Sequence, residues 1–433
     1  MNYNKKHGKL VTFSWILYDF ANTIYSMNVV SMYFTTWIVV DLGFKDSYVS
    51  FANSISMILV ALSMPMLGEI SDRLNKKIEF LLFFTLVCIM GTAMIGVAGY
   101  YMNTAYKTIF FAIISFIIAN YAYQGSLVFY NALLPYVCSE RSIGRVSGYG
   151  VAIGYMGSIF GLLMVLPFVE GNIYGIKVPF ISGGGSAAAF IPTALLFLVF
   201  SIPIFLFVRE PRTSIPQKSK KLNIRESFKK VIESITNTSK YPGVRRFLIS
   251  KFFYEDAIQT IIIFMAVYAQ KVVGFSKAET TTFFIAVIPS AIVGSVLFGV
   301  LTDHYGPKKT LTMVLYGWII CLGLVIATNE VWIFWLLGGL IGVFMGSTWT
   351  SARPLLITLV PQEMLGEFFG LYSFSGKVAA IIGPLIWAFT VENFESYGIV
   401  VQYKASVASL GILIVIGVII LRRVPDLYTK QSS

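Results

Sequence analysis

Four groups of polar residues stand inside long apolar runs, and their types and spacing could do chemistry. Asp19, Asn22, Thr23 and Ser26 follow an i, i+3, i+4, i+7 pattern, so on a helix they share one face. A carboxylate, an amide and two hydroxyls so placed could ligate a substrate ammonium or hold a proton. The structural alternative is an interfacial or inter-helix contact, because Asp19 lies only about 8 Å from the edge of its run at 1.5 Å per residue. Glu255 and Asp256 stand side by side about 13 Å into a later run, with Gln259 three residues after Asp256. Two buried carboxylates that close make one of them a credible proton carrier. Lys251, four residues before Glu255, offers an internal ion pair instead. Asn120, Gln124 and Asn131 share a third face, and amides can hold a carboxylate or an amine, or join helices. Arg353 and Lys377 are cations within such runs. An arginine fork suits carboxylate or phosphate, and a zwitterionic substrate would need such a cation opposite Asp19 or Asp256. An ion pair among the same groups is the alternative.

The elements that carry these residues follow from composition. Of 433 residues 56% are hydrophobic and only 12% charged, with mean hydropathy +0.75, far from the quarter of charged residues usual in soluble domains. Apolar blocks fall near 12–40, 48–70, 78–100, 108–134, 146–169, 187–208, 247–271, 280–301, 310–328, 331–360, 368–390 and 404–421. A bilayer crossing takes about 20 apolar residues, whereas barrel strands read as alternating segments of about ten. The expected fold is therefore an all-α integral membrane protein of twelve transmembrane helices. The first block is too long for a signal-peptide core.

The single long polar interruption, 209–246, divides the blocks six and six. The expected organisation is a bundle at 1–208, a basic cytoplasmic linker at 209–246, and a second bundle with a short tail at 247–433. Lys45, Lys107, Lys177, Lys271, Lys277 and Lys404 fall in alternate loops, and nearly all remaining basic residues collect on the other side. By the positive-inside rule both termini are cytoplasmic. The net charge of +12 then reads as attraction to anionic lipid at that face. The linker lacks the stacking aromatics or motif of a nucleic-acid reader.

Other chemistries lack their residues. Cys88, Cys138 and Cys321 are far apart, and the two histidines are His7 and His304, so neither a disulfide framework nor a metal site is expected. Gly148, Gly150, Gly154, Gly157 and Gly161 imitate a dinucleotide loop but open an apolar block without a preceding strand. Gly150xxxGly154, Gly157xxxGly161 and Gly338xxxGly342xxxGly346 fit close helix packing. No phosphate-binding loop motif is present, and no serine has an evident base. The chain reads as no enzyme and no ATP-driven pump, with no cofactor.

The halves repeat each other. Gly68-Glu-Ile-Ser-Asp72-Arg73-Leu-Asn75-Lys76-Lys77 matches Gly299-Val-Leu-Thr-Asp303-His-Tyr-Gly306-Pro-Lys308-Lys309 in its Gly, Asp, Asn/Gly and Lys positions. Asp19, Asn22 and Thr23 match Asp256, Gln259 and Thr260. Such duplication with both ends on one side suggests parallel repeats about an axis along the membrane normal.

The twin loops resemble the loop signature of the major facilitator superfamily. Trp15-Ile-Leu-Tyr18-Asp19-Phe-Ala21-Asn22, Val128 to Pro135 and Val360 to Tyr372 are similar to the branch holding the fungal autophagy-related vacuolar amino-acid effluxers and many bacterial permeases. Helix 10 reads Thr348-Trp-Thr-Ser-Ala-Arg353 where that branch has Gln-Ala-Leu-Ser-Arg, so only its end corresponds. The resemblance implies two six-helix bundles rocking about a cavity lined by helices 1, 4, 7 and 10. It also implies that Gly68, Asp72, Arg73, Gly299 and Asp303 control gating, the aspartates pairing with cations and with a helix N-terminus so as to favour the outward-facing state; the alternative is topological, with Arg73, Lys76, Lys77, Lys308 and Lys309 anchoring the loops in the cytoplasm.

The expected function is secondary transport of a small polar or zwitterionic solute, amino acids among them, with protons as a second partner and a monomeric protein. Two alternatives stay open: a transport-inactive receptor or scaffold, and a facilitator of drugs, sugars or nucleosides.

Overall fold

The computed structural model describes residues 8–101, 104–173, 176–177, 183–210, 241 and 243–428. Most of the basic linker, 211–240, lies outside them. Among the described residues twelve helices are long and apolar enough to cross a membrane. They are α1 (Lys9–Asp41), α2 (Ser47–Leu74), α3 (Lys77–Tyr101), α4 (Ala105–Ala132), α5 (Ile143–Glu170) and α6 (Phe190–Phe207), then α7 (Val244–Tyr268), α8 (Lys277–Tyr305), α9 (Pro307–Ala327), α10 (Val331–Leu359), α11 (Leu365–Asn393) and α12 (Ile399–Arg422). A two-residue antiparallel ladder after α5 pairs Asn172 with Lys177 and Ile173 with Ile176.

Local chemistry sets several ends. α2 stops where Asn75 turns left-handed at φ 53°, and α8 stops at Gly306, φ 89°, before Pro307 opens α9. These are equivalent positions of the repeated loop. Its Asn or Gly is there because the chain reverses with positive φ, which other residues resist. Pro307 then sits where a helix has an N–H to spare. Ser276 and Glu279 close a capping box at the start of α8.

The chain packs as two compact units, Met1–Ser139 with Ile153–Lys220 and Glu140–Ala152 with Lys221–Ser433. α5 thus contributes its opening residues to the second unit and the rest to the first. The packing repeats between units: α3 runs along α4, α1 along α6, α2 along α4 and α3 along α6, while α9 runs along α10, α7 along α12, α8 along α10 and α9 along α12. Large apolar side chains such as Phe51 and Phe389, each 68% exposed, cover the outer faces, as hydrocarbon surroundings require.

Glycine faces bring the helices together, as small residues do in membranes. A Cβ on Gly154, Gly157 or Gly161 of α5 would meet Thr23, Phe20 or Ile24 of α1, and one on Gly338, Gly342 or Gly346 of α10 would meet Phe283, Val287 or Ala291 of α8. At Gly157 the obstacle is the Phe20 carbonyl oxygen at 2.5 Å, with the Phe20 Cα at 3.0 Å. Backbone cannot swing aside, so Gly157→Val must push α1 from α5. The expected cost is about 1–3 kcal/mol, read as a lower Tm of purified protein. An unchanged Tm would contradict this packing.

Candidate functional site

In the first unit two residues of the α1 polar stripe are buried, Asp19 at 6% exposed and Asn22 at 1%, while Thr23 and Ser26 are half-buried. Thr23 donates its hydroxyl to the Asp19 carbonyl at 2.7 Å, and Gly154 of α5 leaves room for both residues. Asn22 differs from its neighbours, because both its amide nitrogen and its amide oxygen are buried without a hydrogen-bond partner among the described residues. Leaving buried polar atoms unmet costs about 1–3 kcal/mol each. Aromatic rings on the same helices form a stack that the sequence reading did not assign. Trp15 stacks on Tyr130 at 4.4 Å and donates to its carbonyl at 3.0 Å, Tyr18 lies 5.2 Å from Tyr130, and Tyr25 meets Tyr123 at 4.8 Å.

The α4 amides divide. Asn120 donates to Asn53 Oδ1 at 3.0 Å and to Ser56 Oγ at 2.7 Å on α2, which makes it an inter-helix tie, although its own oxygen is unmet. Gln124 is half-buried. Asn131 is buried with its oxygen unmet.

In the second unit Lys251 Nζ pairs with Glu255, donates to the Tyr372 carbonyl at 3.1 Å and lies 3.8 Å from the Tyr372 ring centroid. Gln259 donates weakly to Glu255 at 3.4 Å. Glu255 is thus held by its own helix, one turn apart on either side, as the spacing allowed. Asp256, 1% exposed, is served differently. It accepts the Gly383 N–H at 2.8 Å and makes no ion pair among the described residues. Arg353 on α10 and Lys377 on α11 are half-buried.

The repeated loops hold charge at the helix ends. Asp72 pairs with Lys77 at 2.7 Å, and Lys77 is 1% exposed. Glu210 accepts the Ile78 N–H at 2.6 Å at the start of α3; burial raises its carboxyl above the usual range, against the pull of Lys77. Asp303 accepts the backbone N–H of Gly144 at 2.6 Å and of Arg145 at 3.1 Å, and the Arg145 Nε at 2.8 Å. A carboxylate on the first amides of α5 is what a helix N-terminus favours. Gly299 lies against Gly144 and Gly148, where a Cβ would stand 2.9 Å from the Gly144 carbonyl. Tyr428 donates to the Asp303 carbonyl at 2.5 Å. A cavity of about 850 Å³ opens beside it, lined in part by Arg141, Thr302, His304 and Gln362; Asp256 is not among its walls. Asp303→Ala is expected to cost about 1–2 kcal/mol, with the half-exposed Arg145 adding little. A Tm equal to that of the native protein would show the contact to be idle.

Sequence reasoning passed over Gly383, Tyr372 and Arg145. Each lies far along the chain from its partner, so no local spacing marks it.

The chain matches the family described as "Vacuole effluxer Atg22 like" over residues 44–143 and 139–427. It is 27% identical over 421 residues to the MFS-type transporter YxiO of Bacillus subtilis (strain 168), covering 95% of this chain and 94% of that one. Its fold is similar to that of the proton:xylose symporter XylE bound to 6-bromo-6-deoxy-D-glucose, with TM-score 0.72, 13% identity and coverage of 98% and 97%. A bacterial homologue of the iron transporter ferroportin in its outward-facing state also has TM-score 0.72, at 14% identity and coverage of 95% and 98%. With twelve apolar helices, repeated packing and a family match along most of its length, the chain belongs to the Vacuole effluxer Atg22 like family of major facilitator superfamily transporters.

Proposed function

We propose that the protein moves a small polar or zwitterionic solute, amino acids being the leading class, by alternating access, and that a proton carried on Asp256 couples the movement to a gradient. Asn22 is the observation that carries the reading. A membrane-spanning helix gains nothing from burying an amide whose donor and acceptor both go unmet, unless a solute meets them during part of the cycle. An amide offers both a donor and an acceptor, which suits an amine, a carboxylate or a hydroxyl. Trp15, Tyr18, Tyr25 and Tyr130 supply apolar ring surface on the same helices. Asp256 supports the coupling, since a buried carboxylate without a cation partner is costly inside a membrane and a proton can neutralise it.

In this reading Asp72 with Lys77, Arg73, Gly68, Gly299 and Asp303 with Arg145 form the cytoplasmic latches, both termini lie inside the cell, and the protein works as a monomer beside anionic lipid. The test is a thermal-shift screen of purified protein against amino acids, peptides, sugars, nucleosides and drugs, because a ligand of the folded state raises its Tm. Counterflow of any labelled hit into proteoliposomes follows. Saturable counterflow supports transport. A hit that binds without counterflow favours a receptor, and a hit outside the polar solutes removes the substrate class.

A further inference from the structure

α7 and α11 meet at Gly383, and the space beside that glycine is occupied from the α7 side. A Cβ there would overlap Thr260 Oγ1 and stand 2.7 Å from Asp256 Oδ1, so the two oxygens converge on one small volume. Asp256 Oδ1 already accepts the Gly383 N–H. Thr260 is 1% exposed, and its hydroxyl has no hydrogen-bond partner among the described residues.

That lack is unusual for its place. A helical threonine commonly returns its hydroxyl to the carbonyl four residues back, and Thr23, its repeat equivalent, does so to Asp19 at 2.7 Å. In α7 the same spacing would send Thr260 to the Asp256 carbonyl, and that bond is absent. The Thr260 oxygen is instead left open next to the Asp256 carboxyl.

We propose that Thr260 is the positioning residue of the proton site, an inference that rests on the proton-coupled reading above. When a hydronium ion delivers its proton to Asp256 Oδ1, the oxygen that converges with Thr260 Oγ1, one water is released and the carboxyl becomes neutral. Its new O–H is donated to Thr260 Oγ1, while the other lone pair of Oδ1 keeps the Gly383 N–H. Loading the proton thus satisfies a buried acceptor on α7 without breaking the contact to α11. Two oxygen-bearing side chains suffice for a proton, whereas hard metal cations gather about six oxygen ligands.

Ionisable groups on the surrounding elements are Arg245, Arg246, Lys251, Tyr254, Glu255 and Tyr268 on α7, Glu367, Tyr372, Lys377 and Glu392 on α11, Arg353 on α10, and Tyr403, Lys404 and Arg422 on α12. Lys251 is committed to Glu255 and Tyr372, and none of these groups pairs with Asp256 among the described residues.

Infrared difference spectra of the purified full-length protein, taken between acid and alkaline buffers in H2O and D2O, test this without a known solute. The readout is the C=O stretch of a protonated carboxyl. The wild type is expected to show a band that Asp256→Asn removes. Thr260→Val and Thr260→Ala should keep the band but move it to higher frequency, as a carboxyl does on losing a hydrogen bond, and Thr260→Ser should restore its position.

A band unmoved in both Thr260 variants overturns the role of Thr260 and leaves proton coupling standing. A spectrum that Asp256→Asn does not change overturns the coupling reading itself. Loss of the band at fixed pH on adding sodium chloride, but not choline chloride, assigns the site to an alkali cation and overturns the proposal.

Discussion

Asp256→Asn is expected to reduce uptake driven by an imposed pH gradient in proteoliposomes to the level seen with a protonophore, while counterflow of the same labelled amino acid continues. The variant keeps the geometry. An asparagine oxygen can still accept the Gly383 N–H that Asp256 accepts at 2.8 Å, and the amide is close in size to the carboxyl, so the contact between α7 and α11 survives. What it loses is the ability to gain and release a proton. Counterflow needs only the solute to cross and return, so it separates a broken coupling from a broken protein. Gradient-driven uptake that persists at the native rate would remove Asp256 from the coupling, and Glu255 would not replace it, because Lys251 already neutralises that carboxylate.

The second large effect runs in opposite directions for stability and binding. Asn22→Leu is expected to raise the Tm, since it removes two unmet polar atoms from a site that is 1% exposed and replaces them with a side chain of similar size. The gain is about 1–3 kcal/mol for each of the two unmet atoms. The same variant should lose the thermal shift given by the solute: at a concentration of 100 times Kd the native protein gains about 2.7 kcal/mol and the variant gains nothing. A purely structural Asn22 gives the reverse pattern, a lower Tm with the solute shift retained. Measuring both quantities on one preparation decides between them.

Asn120 shows how the two outcomes diverge. It shares the buried position and residue type of Asn22, yet its amide nitrogen is spent on Asn53 and Ser56. Its loss should weaken the α2–α4 contact before it weakens binding. No spacing along α4 distinguishes these roles, because the partners sit on a helix more than sixty residues earlier. By contrast the Lys251–Glu255 pair spans one helical turn and was visible as an i, i+4 spacing.

The linear sequence by itself determined the number and limits of the spans, since hydrocarbon demands about twenty apolar residues with every backbone group bonded internally. The block read as 331–360 is the helix Val331–Leu359, and that read as 12–40 is the span Lys9–Asp41. The duplication was equally legible, because the turn after α2 and α8 needs a residue that tolerates positive φ. Tertiary structure alone decided which buried polar atoms find partners and which do not. It also decided where α1 loosens into a wider π turn, at Ser26–Tyr33, and where such a turn continues α7, at Ala269–Val273. The physical reason is range. A span is set by transfer of its own side chains into oil, a local sum, whereas the fate of Asn22, Asp256 and Thr260 depends on atoms that a neighbouring helix brings within 3 Å, and glycines at 154 and 383 permit that approach without announcing what they will touch.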